Sequence, residues 1–453
     1  MSATFPLDHI TPSPESDRAR VVLRRIGAVD VLLLSAWCGL AAGLLEAGVR
    51  VVCGTIAPFQ RLYMVSRHFL WLGPLSSLLL FLGMGLVLSV ASKLSPRAVG
   101  WLGPRLICAC ATLPVLMAAF PQVHAEAWAI FGLGIAVQLV PTLERRITAL
   151  RRRLLWSFPL MLGLVIVLAT YVFWGDRLKQ AREVGRPLPP ANSPNVLLIV
   201  LDTVRADHLS LYGYERSTTP VLERLAKGGI RFDQARATAP WTLPSHASMF
   251  TGRWPHEVGE EWRSPIRGNF PSLAEYLGNH GYATAGFVGN IGYCSQETGL
   301  ARGFTHYEDY VMENLAPLRT SALVEYVAGA ISGILRTVDI SSLSPLEGFV
   351  NRWFDTKRKN AASIRRAFLS WVAQRQETDR PFFAFLNFFD AHQQYILPQG
   401  ARRRFVNYSL TEDENKIIYQ LWPFLDRTRL PPPYIEIARD SYDDCLGDRK
   451  SVV

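Results

Sequence analysis

The sequence predicts two joined parts, an N-terminal bundle of about five membrane-spanning helices and a following α/β domain. The first 175 residues contain several long uncharged runs, each near the length that crosses a bilayer as a helix. Residues 195–202 (NVLLIVLD) form an apolar run ending in Asp, which is typical of a strand buried on both faces of a parallel sheet. Helix-like and strand-like segments then alternate, as they do in α/β domains.

Five apolar runs are the candidate membrane spans. They cover residues 29–49, 69–92, 106–125, 127–143 and 154–174. The third and fourth runs are expected to form a hairpin. Because several runs follow the first, the first is not expected to be a cleaved signal peptide. We therefore predict a transmembrane anchor over residues 1–175, with the lipid bilayer as its partner.

Lys and Arg in the short loops predict the orientation of the bundle. Basic clusters precede the first run and follow the second and the fourth. The positive-inside rule then places the N-terminus in the cytoplasm, and five spans place the chain after residue 175 outside it. Arg50, Arg61 and Arg67 depart from this rule, because their loop is predicted to lie outside. The expected location is the cell (inner) membrane, with the second half on the periplasmic or extracellular side.

Charge and cysteine content exclude other classes of protein. The net charge of +10 comes largely from Arg clusters that flank apolar runs, so we predict no nucleic-acid partner. Six cysteines with no zinc-like spacing predict neither a zinc site nor a disulfide framework. Glu46 is an acidic group within the first span. It is either a functional intramembrane carboxylate or a group that pairs with Arg50 or reaches interfacial water.

The second half begins after a polar, then Pro-rich segment at residues 176–194, which is typical of a semi-rigid linker. Beyond it, the pattern predicts an α/β domain over 195–447. Strands are expected at 195–202, 230–237, 282–289 and 381–389, and helices near 218–229, 271–281 and 357–375.

Candidate site residues follow the strands and begin a helix. Asp202 ends the first strand, and Asp390 and His392 end a later one, so they are expected at one edge of the sheet. Thr242 precedes Pro244, and Pro favours a first helical turn, which places Thr242 at a helix's positive end. Its position fits two roles, a helix cap or a nucleophile.

The stretch at 239–252 (APWTLPSHASMFTG) resembles the signature of the sulfatase family, within the alkaline phosphatase superfamily. That signature reads Cys-x-Pro-Ser-Arg, then Thr-Gly some residues later. Its matched positions here are Thr242, Pro244, Ser245, Thr251 and Gly252. Thr242 stands at the Cys position and His246 at the Arg position. Residues 195–214, 278–290 and 381–392 resemble further family segments, so the resemblance covers about 193–446.

The resemblance implies an alkaline-phosphatase-like fold and a set of site residues. Asp202 and Thr242 would bind one divalent metal ion, with Ca expected first and Mn, Mg or Zn as alternatives. Thr242 and His246 would be catalytic. His246 would hold the nucleophile or a substrate oxygen, and the alternative for it is local capping or packing. The expected substrate-binding residues are His392, Asn290 and His256. Asp207 and His208 are expected to build the turn after the first strand.

Departures from the family pattern favour phosphate chemistry. Thr242 cannot become formylglycine, whose precursor is Cys or Ser, and Asn290 stands near the position of a sulfate-binding Lys. Family members with Thr at this position include transferases of phosphoethanolamine or glycerophosphate. The resemblance therefore implies a membrane-anchored, metal-dependent hydrolase or transferase of phosphate or sulfate esters, whose substrate is carried by an envelope lipid or polysaccharide. The alternative is a non-catalytic relative that binds an envelope polymer.

The end of the chain carries a separate expectation. ARDSYDDCL (438–446) is expected to begin a helix, and in the family an Asp-His-Gly or Asp-Asn motif follows that completes the metal site. No such motif occurs after residue 393. Residues 448–453 (DRKSVV) match what a common sequencing adapter encodes, so we expect an artefact there and a domain that is incomplete at its C-terminus. The chain as written is then expected to bind metal weakly and to show no turnover.

Overall fold

The structure is a computed structural model of the whole chain. The residues that it describes are 27–56, 62–63, 65–259, 265–266, 268, 270–310, 319–337, 359–375, 379–392, 395, 404–406, 428 and 430–447. The sequence expectations for the N-terminal 26 residues, for Arg61 and for 448–453 lie outside the described residues.

Five helices in the described part of the chain are long and apolar enough to cross a membrane, which confirms the predicted spans. They are α1 (Ala28–Thr55), α2 (Phe69–Leu94), α3 (Pro96–Ala119), α4 (Ala125–Glu144) and α5 (Ile147–Val184). The third and fourth form the expected hairpin across a short turn. Large apolar side chains such as Leu160, Ile166 and Trp174 remain exposed on α5, as lipid-facing residues do.

Helix α5 continues well past its apolar run. Residues 176–184 (DRLKQAREV) were expected to begin a linker, but they contain good helix formers and neither Gly nor Pro. The helix therefore extends to Val184 and ends at Gly185, two residues before Pro187. The non-helical connection to the domain is the shorter stretch 185–194.

Small residues bring α1 and α2 into close contact. A Cβ atom on Gly43 would lie 2.5 Å from Pro74 Cα, and one on Gly39 would lie 2.7 Å from Phe81 Cβ. Only glycine permits backbones to approach this closely, as in other small-xxx-small helix pairs in membranes.

Glu46 is buried in an ion pair, as one of its two interpretations predicts. Its carboxylate lies 2.6 Å from Arg50. It also accepts hydrogen bonds from Ser321 Oγ and Ala322 N, each at 2.8 Å. A side chain of α1 thus caps the first turn of a helix in the second half.

The second half is built on a four-stranded parallel sheet. Its strands are β1 (Val196–Leu201), β2 (Ala283–Val288), β3 (His306–Glu308) and β4 (Phe382–Phe388), in the order β1-β4-β2-β3. Three of the expected strands are confirmed, and β3 was not expected from the sequence. The strand predicted at 230–237 is wrong: this segment is irregular, and its apolar residues Ile230 and Phe232 are exposed because no strand pairs with them.

Helices connect and cover these strands. They are α6 (Pro220–Ala226), α7 (Thr242–Thr251), α8 (Leu273–Asn279), α9 (Ala322–Thr337), α10 (Ala361–Gln374) and α11 (Pro432–Gly447). The expected helices near 218–229, 271–281 and 357–375 are confirmed in the described residues, and 438–446 lies in α11. On one face of the sheet Phe250, Phe304 and Phe385 form an aromatic core, and on the other Ile364 of α10 packs against Phe287 and Leu386.

The close approach of α1 and α2 gives a test of the bundle. Gly43→Ala adds a methyl group where Pro74 leaves no room, and overpacking of this kind costs about 1–3 kcal/mol. We expect a lower midpoint of thermal unfolding for the detergent-purified protein. Gly48→Ala on the same helix is the matched control, because nothing lies within 4 Å of its added Cβ. Equal midpoints for the two variants would contradict the packing.

Candidate active site

Asp202 lies where β1 ends. Its backbone N–H donates to Phe388 O at 2.9 Å, so the pairing with β4 reaches this residue. Thr203 then takes a left-handed conformation with φ of 58°, which turns the chain away from the sheet. The Asp202 side chain is 7% exposed and is therefore held at the carboxyl edge of the sheet rather than in solvent.

Thr242 is the first residue of α7, and its hydroxyl faces Asp202. The Thr242 Oγ lies 3.4 and 3.5 Å from the two Asp202 carboxylate oxygens. The N-cap position belongs to Trp241, which has no side-chain capping bond. The contacts of the Thr242 hydroxyl described here are therefore with Asp202 and not with the backbone of the first turn. The positive end of α7 favours negative charge on this oxygen.

Asn290 completes this group from the end of β2. Its Nδ2 donates to Asp202 Oδ2 at 2.8 Å and lies 3.3 Å from Thr242 Oγ. Its Oδ1 accepts from Tyr293 N at 3.1 Å, which orients the amide with its donor toward the site. Asn387 Oδ1 accepts the Asn290 backbone N–H at 2.9 Å. The structure therefore brings together three of the predicted residues, Asp202, Thr242 and Asn290.

His246 lies one turn into α7 and is almost fully buried. Its Nδ1 is 2.7 Å from the Thr242 carbonyl oxygen, and its ring meets Phe385 edge-on at 5.8 Å. Burial lowers the pKa of His246, while the Thr242 hydrogen bond and the Asp202 charge act in the opposite direction. A neutral imidazole then donates to the carbonyl of Thr242, so this contact fixes the backbone that carries the hydroxyl.

The other two predicted histidines have different surroundings. His392 follows β4 and stacks on Phe389 with ring centroids 4.1 Å apart. Its neighbour Asp390 accepts a hydrogen bond from Ala361 N at 3.0 Å, which places that carboxylate at the N-terminus of α10. His256 is exposed in the turn that follows α7. The substrate contacts predicted for His392 and His256 stay predictions.

A polar cluster around the buried Asp443 was not predicted from the sequence. His208 lies in the turn after β1, as expected, and its Nδ1 is 2.7 Å from Asp443 Oδ1. The other Asp443 oxygen accepts from Tyr214 at 2.7 Å and from Arg216 at 2.8 Å. Asp443 belongs to α11, so this cluster fastens α11 to the segment after Asp202. The sequence feature that could have indicated this cluster is the run of acidic residues in a segment that otherwise has helical character.

The side chains of Asp202 and Thr242 offer oxygen atoms, which are the ligands that hard divalent cations prefer. Within the described ranges, no group of three or more His, Cys, Asp or Glu side chains is arranged so that it could hold a metal ion. The described donors therefore fit an oxygen-preferring ion, but they are fewer than the roughly six oxygens that calcium takes.

Asn290→Asp tests the geometry of this group. The new carboxylate would stand where the amide now donates to Asp202, and two such carboxylates repel unless a cation lies between them. We expect a lower unfolding midpoint in chelator, restoration by Ca²⁺, and an affinity for Ca²⁺ about tenfold higher than in the parent, measured by titration calorimetry. The control Asn290→Ala removes the donor without adding charge and should gain no calcium response. Identical calcium responses of both variants would refute the placement of Asn290 beside Asp202.

Solved structures of two enzymes are similar to parts of this chain. The phosphonate monoester hydrolase of Agrobacterium radiobacter matches at 18% identity and a TM-score of 0.38, over 56% of this chain and 57% of that one. The integral membrane lipooligosaccharide phosphoethanolamine transferase A of Neisseria meningitidis matches at 14% identity and a TM-score of 0.35, over 94% of this chain and 78% of that one.

Curated relatives match a shorter stretch. Arylsulfatase A of Bos taurus is 38% identical over 104 residues, which are 21% of this chain and 20% of that protein. Steryl-sulfatase of Mus musculus is 35% identical over 109 residues, 21% of this chain and 18% of that protein. The match thus spans about a fifth of each relative's length. The family model named Sulfatase matches residues 194–448, more than half of the chain. The chain therefore belongs to the sulfatase family.

Proposed function

We propose that this protein is a membrane-anchored, metal-dependent hydrolase or transferase of phosphate or sulfate esters, with Thr242 as its nucleophile. One observation carries the proposal. The Thr242 hydroxyl stands at the positive end of α7, facing the buried carboxylate of Asp202 and the amide donor of Asn290. Membership of the sulfatase family supports ester chemistry at this site.

Phosphate esters are the favoured substrates within this proposal. A Thr at position 242 cannot be converted to formylglycine, whereas its hydroxyl can form a phosphate ester directly. In the first step, Thr242 Oγ bonds to phosphorus, the bond to the leaving oxygen breaks, and the Thr242 proton ends on the leaving alcohol. In the second, the oxygen of water or of an acceptor hydroxyl bonds to phosphorus, the bond to Thr242 breaks, and a proton returns to Thr242. Water gives hydrolysis and an acceptor hydroxyl gives transfer.

Asp202 and Thr242 are the proposed metal ligands. A bound divalent ion, with Ca²⁺ expected first and Mn²⁺, Mg²⁺ or Zn²⁺ as alternatives, would favour the ionised form of the Thr242 hydroxyl. Asn290 would donate from its Nδ2 to an oxygen of the ester. His246 would hold the Thr242 carbonyl and hence the direction of the hydroxyl. His392 and His256 are proposed as contacts to substrate oxygens.

A non-catalytic function is the second candidate. It is favoured by the shortage of acidic and imidazole ligands around Asp202 within the described residues. A protein of this kind would bind an envelope polymer at the same edge without turning it over. The fate of Thr242 distinguishes the two candidates, because only the enzyme passes through a phosphorylated threonine.

Thr242→Ala in the full-length protein should remove turnover of a phosphodiester such as bis(p-nitrophenyl) phosphate. Loss of a nucleophile costs several orders of magnitude in rate, whereas loss of a helix cap costs only about 1 kcal/mol of stability. Thr251→Ala is the matched control, because that hydroxyl bonds Ala247 O at the opposite end of α7. Mass spectrometry should find phosphate on Thr242 of the parent protein. Turnover in Thr242→Ala comparable to the parent would return Thr242 to a structural role.

The proposed arrangement places the anchor at 1–175, the connecting segment at 176–194 and the catalytic domain at 195–447, outside the cytoplasm. The basic loops and the odd number of spans support this orientation. A reporter active only outside the cytoplasm should be active when fused after residue 190. A reporter active only in the cytoplasm should be active when fused after residue 150. Cytoplasmic reporter activity after residue 190 would refute the orientation.

A further inference from the structure

Asn387 is a fully buried amide in the middle of the sheet that takes no part in the proposed two-step reaction. It lies near the end of β4, the strand that pairs with β1 on one side and with β2 on the other. Its register partners are Val200 and Val288, which come two residues before Asp202 and Asn290. Asn387 therefore lies between the two strands whose ends carry the candidate active site.

The main chain and side chain of Asn387 both hold the segment that leads to Asn290. The Asn387 carbonyl oxygen accepts from Gly289 N at 2.8 Å, and its Oδ1 accepts from Asn290 N at 2.9 Å. A Cβ atom on Gly289 would lie 2.9 Å from Asn387 O, so only glycine permits this approach. One residue of β4 thus fixes two successive peptide groups before the Asn290 side chain.

The other end of the Asn387 amide is a donor that lacks an acceptor. Oδ1 faces a backbone N–H, which can only donate, so the oxygen and nitrogen of this amide are assigned by their partner. Within the residues that the structure describes, the buried Nδ2 has no hydrogen-bond partner. Buried amide donors in native cores are nearly always satisfied, by protein or by an internal water molecule.

His246 offers the complementary acceptor. Its Nδ1 lies 2.7 Å from the Thr242 carbonyl oxygen, which can only accept, so Nδ1 carries a hydrogen. In the neutral ring Nε2 is then an acceptor, and this buried atom also lacks a partner in the described part of the chain. The ring meets Phe385, which lies two residues before Asn387 and hence on the same face of β4. Nδ2 and Nε2 are not hydrogen-bonded to each other, so a link between them needs a third group.

We propose that an internal water molecule links Asn387 Nδ2 to His246 Nε2, and that Asn387 is a positioning residue for the attack by Thr242. The water accepts from Nδ2 and donates to Nε2. A continuous hydrogen-bonded path then runs from Asn290 N through Asn387, the water and His246 to the Thr242 carbonyl oxygen. It ties α7 to the end of β2 and so maintains the 3.3 Å between Thr242 Oγ and Asn290 Nδ2.

The role of Asn387 in turnover rests on the proposed function, whereas the water and its path rest on the buried contacts alone. Asn387→Leu keeps the approximate volume and removes both the Oδ1 acceptor and the Nδ2 donor. In the full-length protein, we expect kcat for bis(p-nitrophenyl) phosphate to fall by about tenfold or more while KM stays within about twofold, because a misplaced nucleophile slows the reaction more than it weakens binding.

Phe383→Leu is the matched control for a loss of stability without a loss of position. Phe383 is fully buried on the same face of β4, four residues before Asn387, and packs on Phe304 away from the site. It should lower the midpoint of thermal unfolding, as a cavity does, and leave kcat within about twofold of the parent. An equal fall of kcat in both variants, or a parental kcat in Asn387→Leu, would overturn the positioning role.

A second measurement needs neither a variant nor turnover. A map of the parent protein at a resolution that shows ordered water should contain a peak within hydrogen-bond distance of both Asn387 Nδ2 and His246 Nε2. No peak there would overturn the proposed path. The peak together with no turnover on any ester would refute the proposed function, and with it the role of Asn387 in turnover, while the water site itself would stand.

Discussion

The unbroken passage of α5 from the membrane onto the β3 side of the sheet is the constraint on which the rest of the structure depends. One helix carries both the last apolar span and the polar contacts of Asp176 and Glu183. Because a helix is stiff over this length, the domain cannot turn freely relative to the bundle. The direction of the strands, and hence the position of their carboxyl ends, follows from those two contacts.

The arrangement of the candidate active site follows from the free-energy cost of burying the Asp202 carboxylate. Asp202 is almost excluded from water, so its charge needs hydrogen-bond donors. Asn290 supplies one at 2.8 Å, and the Thr242 hydroxyl stands close to both oxygens. The same arrangement that stabilises Asp202 holds Thr242 in the orientation that the proposed attack on an ester requires, and the positive end of α7 favours negative charge on its oxygen.

Ion pairs account for two of the three departures from the positive-inside rule. Arg50 and Arg67 seemed misplaced in a loop predicted to lie outside. Arg50 is paired with Glu46, and Arg67 with Asp176, so neither charge opposes the predicted orientation. These two pairs also join the bundle to the domain, because Glu46 caps α9 and Arg67 lies between Ser66 and His68, which contact Asp309 and Tyr310.

The sequence predicted those elements whose residue pattern can be recognised within the segment itself. The strands β1, β2 and β4 are apolar runs, and the carboxyl ends of parallel strands meet at one edge, so Asp202, Asp390 and His392 were expected there. Asn290 was expected at the site only from the family resemblance. The three-residue strand β3 exists only through its pairing with β2, and no local pattern reveals it.

Two further features depend on context that the sequence does not display. The segment 230–237 alternates like a strand but has no partner within the described sheet. Polar residues after Trp174 looked like a linker because their partners, Thr284 and Arg67, are distant in sequence. The ring of His246 was expected near the reacting group, whereas the detail of its bond to the Thr242 carbonyl depends on the helical geometry of α7.

The central claim is that the reacting centre is the group of Asp202, Thr242 and Asn290 at the carboxyl edge of the sheet. An electron cryomicroscopy map of the protein in lipid nanodiscs, recorded with and without Mn²⁺, tests it most directly. The account predicts that a manganese-dependent peak appears between the Asp202 carboxylate and Thr242 Oγ. A manganese-dependent peak elsewhere, or none at this position, would contradict it.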